Sequence, residues 1–306
     1  MPIRPGSRPP EDRRSTEHRN PASHNLDRLS TLEIVRLMNR EDQKIAIAVR
    51  RELPAIAKAA DAIVEALRTG GRLFYVGAGS SGRMAVLDAA EIAPTFGTPR
   101  ALVQALIAGG QKAVTSAVEG AEDAVGNGER DLRARRFTAR DIIVGIAASG
   151  TTPYVLGALA YARKRRATII ALTSNRRMPV TKLADIVVAP EVGPEVVTGS
   201  TRLKAGTSQK LVLNMLSTAA MVRLGHVYEN LMIDAVLTNK KLEHRALRIL
   251  SEASGKTVSR SRRALRQARH DIRVALVMLK RGVSANEARK LLSSAGGNLR
   301  RALGES

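Results

Sequence analysis

Between residues 72 and 189 the chain alternates short, mainly apolar runs with longer stretches whose apolar positions recur at helical spacing. The runs cover 72–76, 101–107, 141–146, 168–172 and 186–189. A run that is apolar at successive positions reads as a strand buried on both faces. Helical spacing fills the gaps over 81–92, 112–135 and 152–165, with Gly120 or Gly126 as a break inside the second. Strand, helix, strand in succession predicts an α/β fold, a three-layer parallel sheet of about five strands flanked by helices. Upstream, Ser30-Thr-Leu-Glu33 has the spacing of a capping box and opens a first helix; a second spans about 54–67 and stops at Gly70-Gly71. Downstream, helices are predicted over 207–224 and 236–250.

After Gly255 the texture changes to short helical patterns at 257–269, 271–280 and 284–294, with a last turn near 298–303. This predicts a small C-terminal three-helix module. The expected organisation is a disordered tail over 1–15, a main domain over 16–250 and a small helical domain over 251–306.

Composition narrows the function classes. Of 306 residues 44% are hydrophobic, enough for a core, yet only 2% are aromatic, so base-stacking platforms are not expected. The chain has no cysteine, which removes thiol catalysis and Cys-ligated zinc. No pair among the five histidines has metal-ligand spacing, and neither metal nor cofactor is expected. The N-terminus shows no apolar signal region and no run is long enough to span a bilayer, so a cytoplasmic enzyme is expected. Formal net charge is +22; residues 245–306 hold 15 Lys and Arg against 4 Asp and Glu, half of that total. Such a tail can touch nucleic acid non-specifically or be a solvated surface; specific nucleic-acid recognition is not expected.

Two loops carry the candidate binding chemistry. In Tyr75-Val-Gly-Ala-Gly-Ser-Ser-Gly-Arg83 a strand enters a Gly/Ser turn that opens a helix. Gly79 lets the backbone approach an anion, Ser80 and Ser81 add hydroxyls, and the helix N-terminus favours negative charge. The same residues match a dinucleotide fingerprint, but the next strand ends Ile107-Ala-Gly-Gly110 without the ribose-binding acid. The second loop, Ser149-Gly150-Thr151-Thr152 before Pro153, repeats the design. Together they point to a phosphorylated small molecule held by hydroxyls and amides.

Acidic residues lie close by in sequence: Glu91 at the end of the first inter-strand helix, and Glu119 and Glu122 in Val118-Glu-Gly-Ala-Glu-Asp123. Paired carboxylates suit general acid–base chemistry, although each could equally be an exposed helix-end glutamate. Ser200, Thr201 and Lys204, in a hydroxyl-rich segment before a long helix, could close the pocket or simply cap that helix. His244 is a candidate for sugar ring opening, with a plain surface histidine as the alternative.

In order along the chain, Thr16-Glu-His-Arg-Asn-Pro-Ala-Ser23, the Gly77–Arg83 loop, Leu87-Asp-Ala-Ala-Glu91, Ala117–Asp123, Val144–Gly150, Glu195–Gly206 and Gln209–Thr218 resemble the N-acetylmuramic acid 6-phosphate etherases of the SIS (sugar isomerase) superfamily. The resemblance spans about residues 16–301. It implies release of D-lactate from N-acetylmuramic acid 6-phosphate by elimination and rehydration, leaving N-acetylglucosamine 6-phosphate. It implies Glu91 as proton donor to the leaving lactate and Glu122 as base, with the Ser and Thr loops on phosphate or sugar hydroxyls, and a homodimer. Ile92-Ala93 stands where that family commonly has Cys-Pro, beside Glu91. A non-catalytic sugar-phosphate sensor and an aldose–ketose isomerase are the alternatives the same fold allows.

Overall fold

All five apolar runs form strands, because strands roofed by helices on both sides have no solvent face to keep polar. In the computed structural model, which describes Asp12, residues 14–237 and residues 240–305, these are β1 (Leu73–Gly77), β2 (Val103–Ile107), β3 (Ile142–Ile146), β4 (Thr168–Leu172) and β5 (Ile186–Val188). They make one parallel sheet in the order β2-β1-β3-β4-β5, with Gly77 in register with Ile107 on one side and Ile146 on the other. Every residue of β1 and β3 is buried.

Alternate residues feed two cores. Leu73, Tyr75, Ile142 and Val144 point into one, with α1 (Thr31–Arg51), α2 (Leu53–Arg68), α3 (Gly79–Phe96) and α8 (Lys204–Leu224). Phe74, Val76 and Ile143 point into the other, with α5 (Val125–Ala134) and α6 (Pro153–Lys164). The short α4 (Lys112–Thr115) and α7 (Pro179–Lys182) complete the connections. The capping box at Ser30 and Glu33 is formed, each side chain bonding the other residue's backbone N–H.

Two expected elements differ in extent and one element was not expected. The helical pattern over 112–135 is two helices parted by an irregular segment, residues 116–124, where Gly120 takes φ +70°. Helix α3 continues past residue 92 to Phe96, with Pro94 in its last turn, and ends on left-handed Gly97. A small antiparallel hairpin, β6 (Val227–Tyr228) and β7 (Leu231–Met232), precedes α9 (Lys240–Ser254).

The C-terminal helices α10 (Val258–Gln267), α11 (Ile272–Arg281), α12 (Ala285–Ser294) and α13 (Leu299–Leu303) close a third core. That core also takes Tyr228 and Ile233 from the hairpin and Ala246, Leu247, Ile249 and Leu250 from α9. The expected division near residue 250 therefore falls inside a helix that packs with the C-terminal module. The reason is that α9 has an apolar stripe which only that module covers. The expected tail over 1–15 lies outside the described residues except for Asp12, Arg14 and Ser15.

Candidate active site

The chain leaves β1 toward β2 on one side and resumes as β3 on the other, so β1 and β3 form the topological switch point of the sheet. In open parallel sheets a crevice forms there beyond the carboxyl ends of the strands. The two hydroxyl-rich loops start side by side at this point, one after Gly77 and one after Ile146. Helix α3 begins at Gly79 with no side chain capping its amides; α6 begins at Pro153, which has no N–H, and its next amide, Tyr154, donates to the Glu122 carbonyl. Ser81 is buried, while Ser80, Ser149, Thr151 and Thr152 are partly open to solvent. Ser149 Oγ accepts from the Thr151 N–H at 3.3 Å and from the Thr151 hydroxyl at 3.1 Å, which tightens the second loop. Gly150 sits at φ +75°, and a Cβ there would come within 2.4 Å of Met178 Cβ, so only glycine makes this bend. The arrangement offers the free amides at the start of α3 and the hydroxyls of both loops, groups that suit an anion.

The irregular segment 116–124 brings the acids in from the β2 side. The Glu122 carbonyl accepts the Tyr154 N–H at 2.9 Å, which sets Glu122 against the first turn of α6, two residues from Thr152. Its side chain is exposed. Glu119, also exposed, lines a concavity of about 470 Å³ with Gly109, Gly110 and Asp131. Glu91 stands apart. It is twelve residues beyond Gly79, about 18 Å along the axis of α3 at about 1.5 Å per residue, and exposed. One helical turn before it, Asp88 is buried and accepts hydrogen bonds from Tyr75 OH (3.0 Å) and Ser217 Oγ (3.1 Å). Burial pushes the Asp88 carboxyl up, and those two bonds oppose the shift. This network ties α3 to β1 and α8.

Residues that sequence reasoning did not assign join the crevice. Asn175, past the end of β4, is a clamp: its Oδ1 accepts from Ser15 N (2.8 Å) and Ser15 Oγ (3.0 Å). Its Nδ2 donates to the Ala148 carbonyl (2.9 Å) and Thr16 Oγ1 (3.2 Å). The N-terminal strap is thereby fastened to the loop that holds Ser149. Thr16 is fully buried. The Glu17 carboxylate lies over the α-carbon of Gly199, where a Cβ would be 3.5 Å away, next to Ser200 and Thr201. The Thr16–Ser23 motif was visible in the sequence, but nothing in its composition says which strand ends it covers.

Lys204 has a different task from the one expected. Its side chain is 2% exposed and its ammonium meets the Glu41 carboxylate at 2.6 Å; that carboxylate also accepts from Asn20 (3.0 Å) and Lys44 (2.5 Å). A buried cation requires such a partner, so Lys204 is neutralised inside the scaffold and does not offer its charge to a ligand. Burial alone would raise the Glu41 pKa; the bonds from Lys204, Lys44 and Asn20 outweigh it and hold the carboxyl at about 2. The neighbouring Glu195, fully buried, accepts the Lys204 and Ala205 amides and so caps α8; burial raises its carboxyl. His244 is exposed in a groove between α9 and α10 and lies in the C-terminal module, not among the crevice loops. Among the described residues no cluster of three His, Cys, Asp or Glu side chains could hold a metal, and no helix is long and apolar enough to cross a membrane. A hollow of about 980 Å³ runs along edge strand β2 between α3 and α5. Its alanine-rich lining lacks the hydroxyl cradle and is not the candidate site.

Comparison with known proteins gives concordant matches. The sequence matches the glucokinase regulatory protein N-terminal SIS domain over residues 55–163 and the SIS domain over residues 120–219. An N-acetylmuramic acid 6-phosphate etherase of Yersinia pestis (strain Pestoides F) is 52% identical over 288 residues, covering 94% of this chain and 98% of the relative. The protein of the same name in Yersinia pseudotuberculosis serotype O:1b (strain IP 31758) matches equally. A phosphoheptose isomerase structure from Francisella tularensis shares the fold, with a TM-score of 0.51 and 22% identity over 63% of this chain and 100% of that one.

Proposed function

This chain belongs to the N-acetylmuramic acid 6-phosphate etherases, lyases acting on a phosphorylated amino sugar, and on that premise we propose how its own residues divide the work. The reaction breaks the C3 ether of N-acetylmuramic acid 6-phosphate and yields D-lactate and N-acetylglucosamine 6-phosphate. In the ring-opened sugar the C2–H bond lies beside the aldehyde. A base takes that proton as the C2–C3 double bond forms and the C3–O bond breaks, and an acid protonates the departing lactate oxygen. Water then returns OH to C3 and H to C2. Two carboxyl groups in opposite protonation states perform both transfers.

Glu122 is the base in this reading and Glu91 the acid. The observation that carries it is the 2.9 Å bond from Tyr154 N–H to the Glu122 carbonyl, because it couples this glutamate to the turn that presents Thr151 and Thr152. The phosphate goes to the free amides at the start of α3 and the hydroxyls of the two loops, with Gly79, Ser80, Ser81, Ser149, Gly150, Thr151 and Thr152 as its donors and shape. Ser200 and Thr201 border the sugar, and Glu119 stands at the rim.

Glu91 needs a second copy of the chain. At about 18 Å along α3 from its own cradle it is too far to share a substrate with it. Exposed Leu87 on α3 and exposed Met215 and Val222 on α8 lie on two helices that pack together beside Glu91. We read this face as the homodimer contact that carries Glu91 to the partner's cradle, in a cytoplasmic enzyme that needs no cofactor. The test is release of D-lactate from the purified protein. Glu91→Gln and Glu122→Gln should each lower kcat by about 10²-fold or more while the substrate still binds, on the scale of a lost general acid or base. Lactate release within a few-fold of the parent in either variant would remove that residue from the mechanism.

A further inference from the structure

The C-terminal module puts most of its acids to use and leaves the cations of one helix, α10, unpaired. Of the four acidic residues after Arg245, Asp271 caps α11 by accepting the Val274 amide at 2.9 Å, and Glu287 closes the capping box of α12. Glu305 takes Lys280, Arg300 and the Tyr228 hydroxyl. Glu252 alone stays exposed without such a role. Against these, Arg260, Arg262, Arg263, Arg266 and Arg269 along α10 and its following turn are all exposed. Among the described residues none of their side chains has a hydrogen bond or an ion pair.

Their arrangement is directional. Arg262 and Arg266 stand at i and i+4 on one line of the helix, with Arg263 beside it and Arg269 in the turn that follows, at φ +57°. Arg248 on α9 shares a groove of about 460 Å³ with Arg262; His244 and Glu252 also border that groove. At the other end Arg289 donates to the Ala268 carbonyl at 3.1 Å, next to Arg269. Like charges on successive turns repel, so a ligand is favoured that carries negative charge over the length of the row.

We propose that this face of the C-terminal module docks the phosphate backbone of double-stranded nucleic acid without reading its sequence. A sugar monophosphate would engage two or three of these side chains, whereas a duplex presents a phosphate charge about every 1.7 Å and can meet them all. The inward face of α10, Ser261, Ala264, Leu265 and Ala268, is buried in the module, and Val258 is its only exposed large apolar side chain. That leaves no apolar face to enter a lipid surface. No Phe or Trp occurs after residue 137, so stacking on unpaired bases is not available to this module. Contacts of this type position a protein on phosphates and carry no base information.

The experiment uses the whole chain, two unrelated labelled DNA duplexes of equal length and a salt series read by fluorescence anisotropy. Expected is equal affinity for both duplexes, with log K against log salt falling at a slope of about −3 to −5 for four or five phosphates. Arg262→Gln, Arg263→Gln and Arg266→Gln together should flatten that slope by about 2.7, at roughly 0.9 per phosphate, and weaken binding at low salt by more than about tenfold. Thermal midpoint and lactate release should stay at the parent level. A matched variant, Arg36→Gln with Arg40→Gln and Arg50→Gln on α1, controls for overall charge. The proposal is overturned if no duplex binds at 50 mM salt, roughly the low end of the range in which such contacts are read. It is overturned equally if the α10 and α1 variants behave alike, or if anionic vesicles bind the chain and DNA does not.

Discussion

At the scale of single residues, the Glu41–Lys204 pair shows how burial reassigns a side chain. In a hydroxyl-rich sequence segment a lysine reads as an anion ligand, and only its surroundings turn it into half of an internal ion pair with Glu41, whose carboxylate Asn20 and Lys44 also hold. Removing one partner of a buried pair leaves the other uncompensated, so Glu41→Gln should destabilise the fold by about 3–5 kcal/mol. The pH dependence has a definite sign. The Glu41 carboxyl is held at about 2 in the folded chain against an ordinary value of 4.5. Its contribution is therefore complete above about pH 4.5 and is lost as pH falls through about 2. Asp88 and Glu195, raised by burial, act in the opposite sense, since for them the folded state favours the neutral form. Urea midpoints between pH 7 and 2 should thus show an acid limb in the parent that is flattened in Glu41→Gln; an unchanged limb would assign it to other carboxylates. The serines and threonines of the two loops were legible because their chemistry is local. The roles of Asn175 and Thr16 were not, since their partners lie about 160 residues away in the chain.

At the scale of elements, periodicity located the strands and most helices and marked a break at Gly120 or Gly126 inside the 112–135 pattern, but did not show that the whole of residues 116–124 is irregular. The stretch keeps a helical apolar spacing and breaks at Gly120, which takes φ +70°. Helices α5 and α6 pack at backbone contact: a Cβ on Gly157 would lie 1.9 Å from the Val125 carbonyl, and one on Gly128 would lie 2.2 Å from the Tyr154 carbonyl. That packing anchors the chain just ahead of α5, and the irregular segment there carries Glu122 to the first turn of α6, where its carbonyl accepts the Tyr154 N–H. Gly157→Ala should consequently act twice. Forcing the helices apart costs about 1–3 kcal/mol, as overpacking does, and it shifts the segment that carries Glu122. The expected result is a lower melting temperature together with a fall in kcat larger than the change in KM. A loss of stability with kcat intact at a temperature where the variant is folded would separate Glu122 from this packing. The β6–β7 hairpin escaped the periodicity reading because a strand of two residues is too short to show any period.

At the scale of the whole molecule, the shared-site reading makes a prediction that no single chain can satisfy. If Glu91 serves the partner's cradle, a mixed dimer of Glu91→Gln and Glu122→Gln chains contains one site with both glutamates and one with neither. Co-refolding equal amounts gives about half mixed dimers, and activity should recover to about a quarter of the parent level by that twofold-symmetry arithmetic. If each chain used its own pair, the mixture would stay inactive. What the amino-acid order determined alone is what depends on neighbours in sequence. It specified the parallel α/β sheet from mainly apolar runs, the capping boxes, the two Gly-hydroxyl loops that open helices, and the concentration of positive charge after residue 245. The three-dimensional arrangement decided what depends on contacts across the chain. It set the two loops side by side at the β1/β3 switch point, fastened the N-terminal strap over them through Asn175, and turned Lys204 inward. It also drew α9 into the C-terminal core. The physical reason is range: periodicity, capping and turn chemistry act over a few residues, whereas burial and ion pairing are properties of whatever the completed fold brings within a few ångströms.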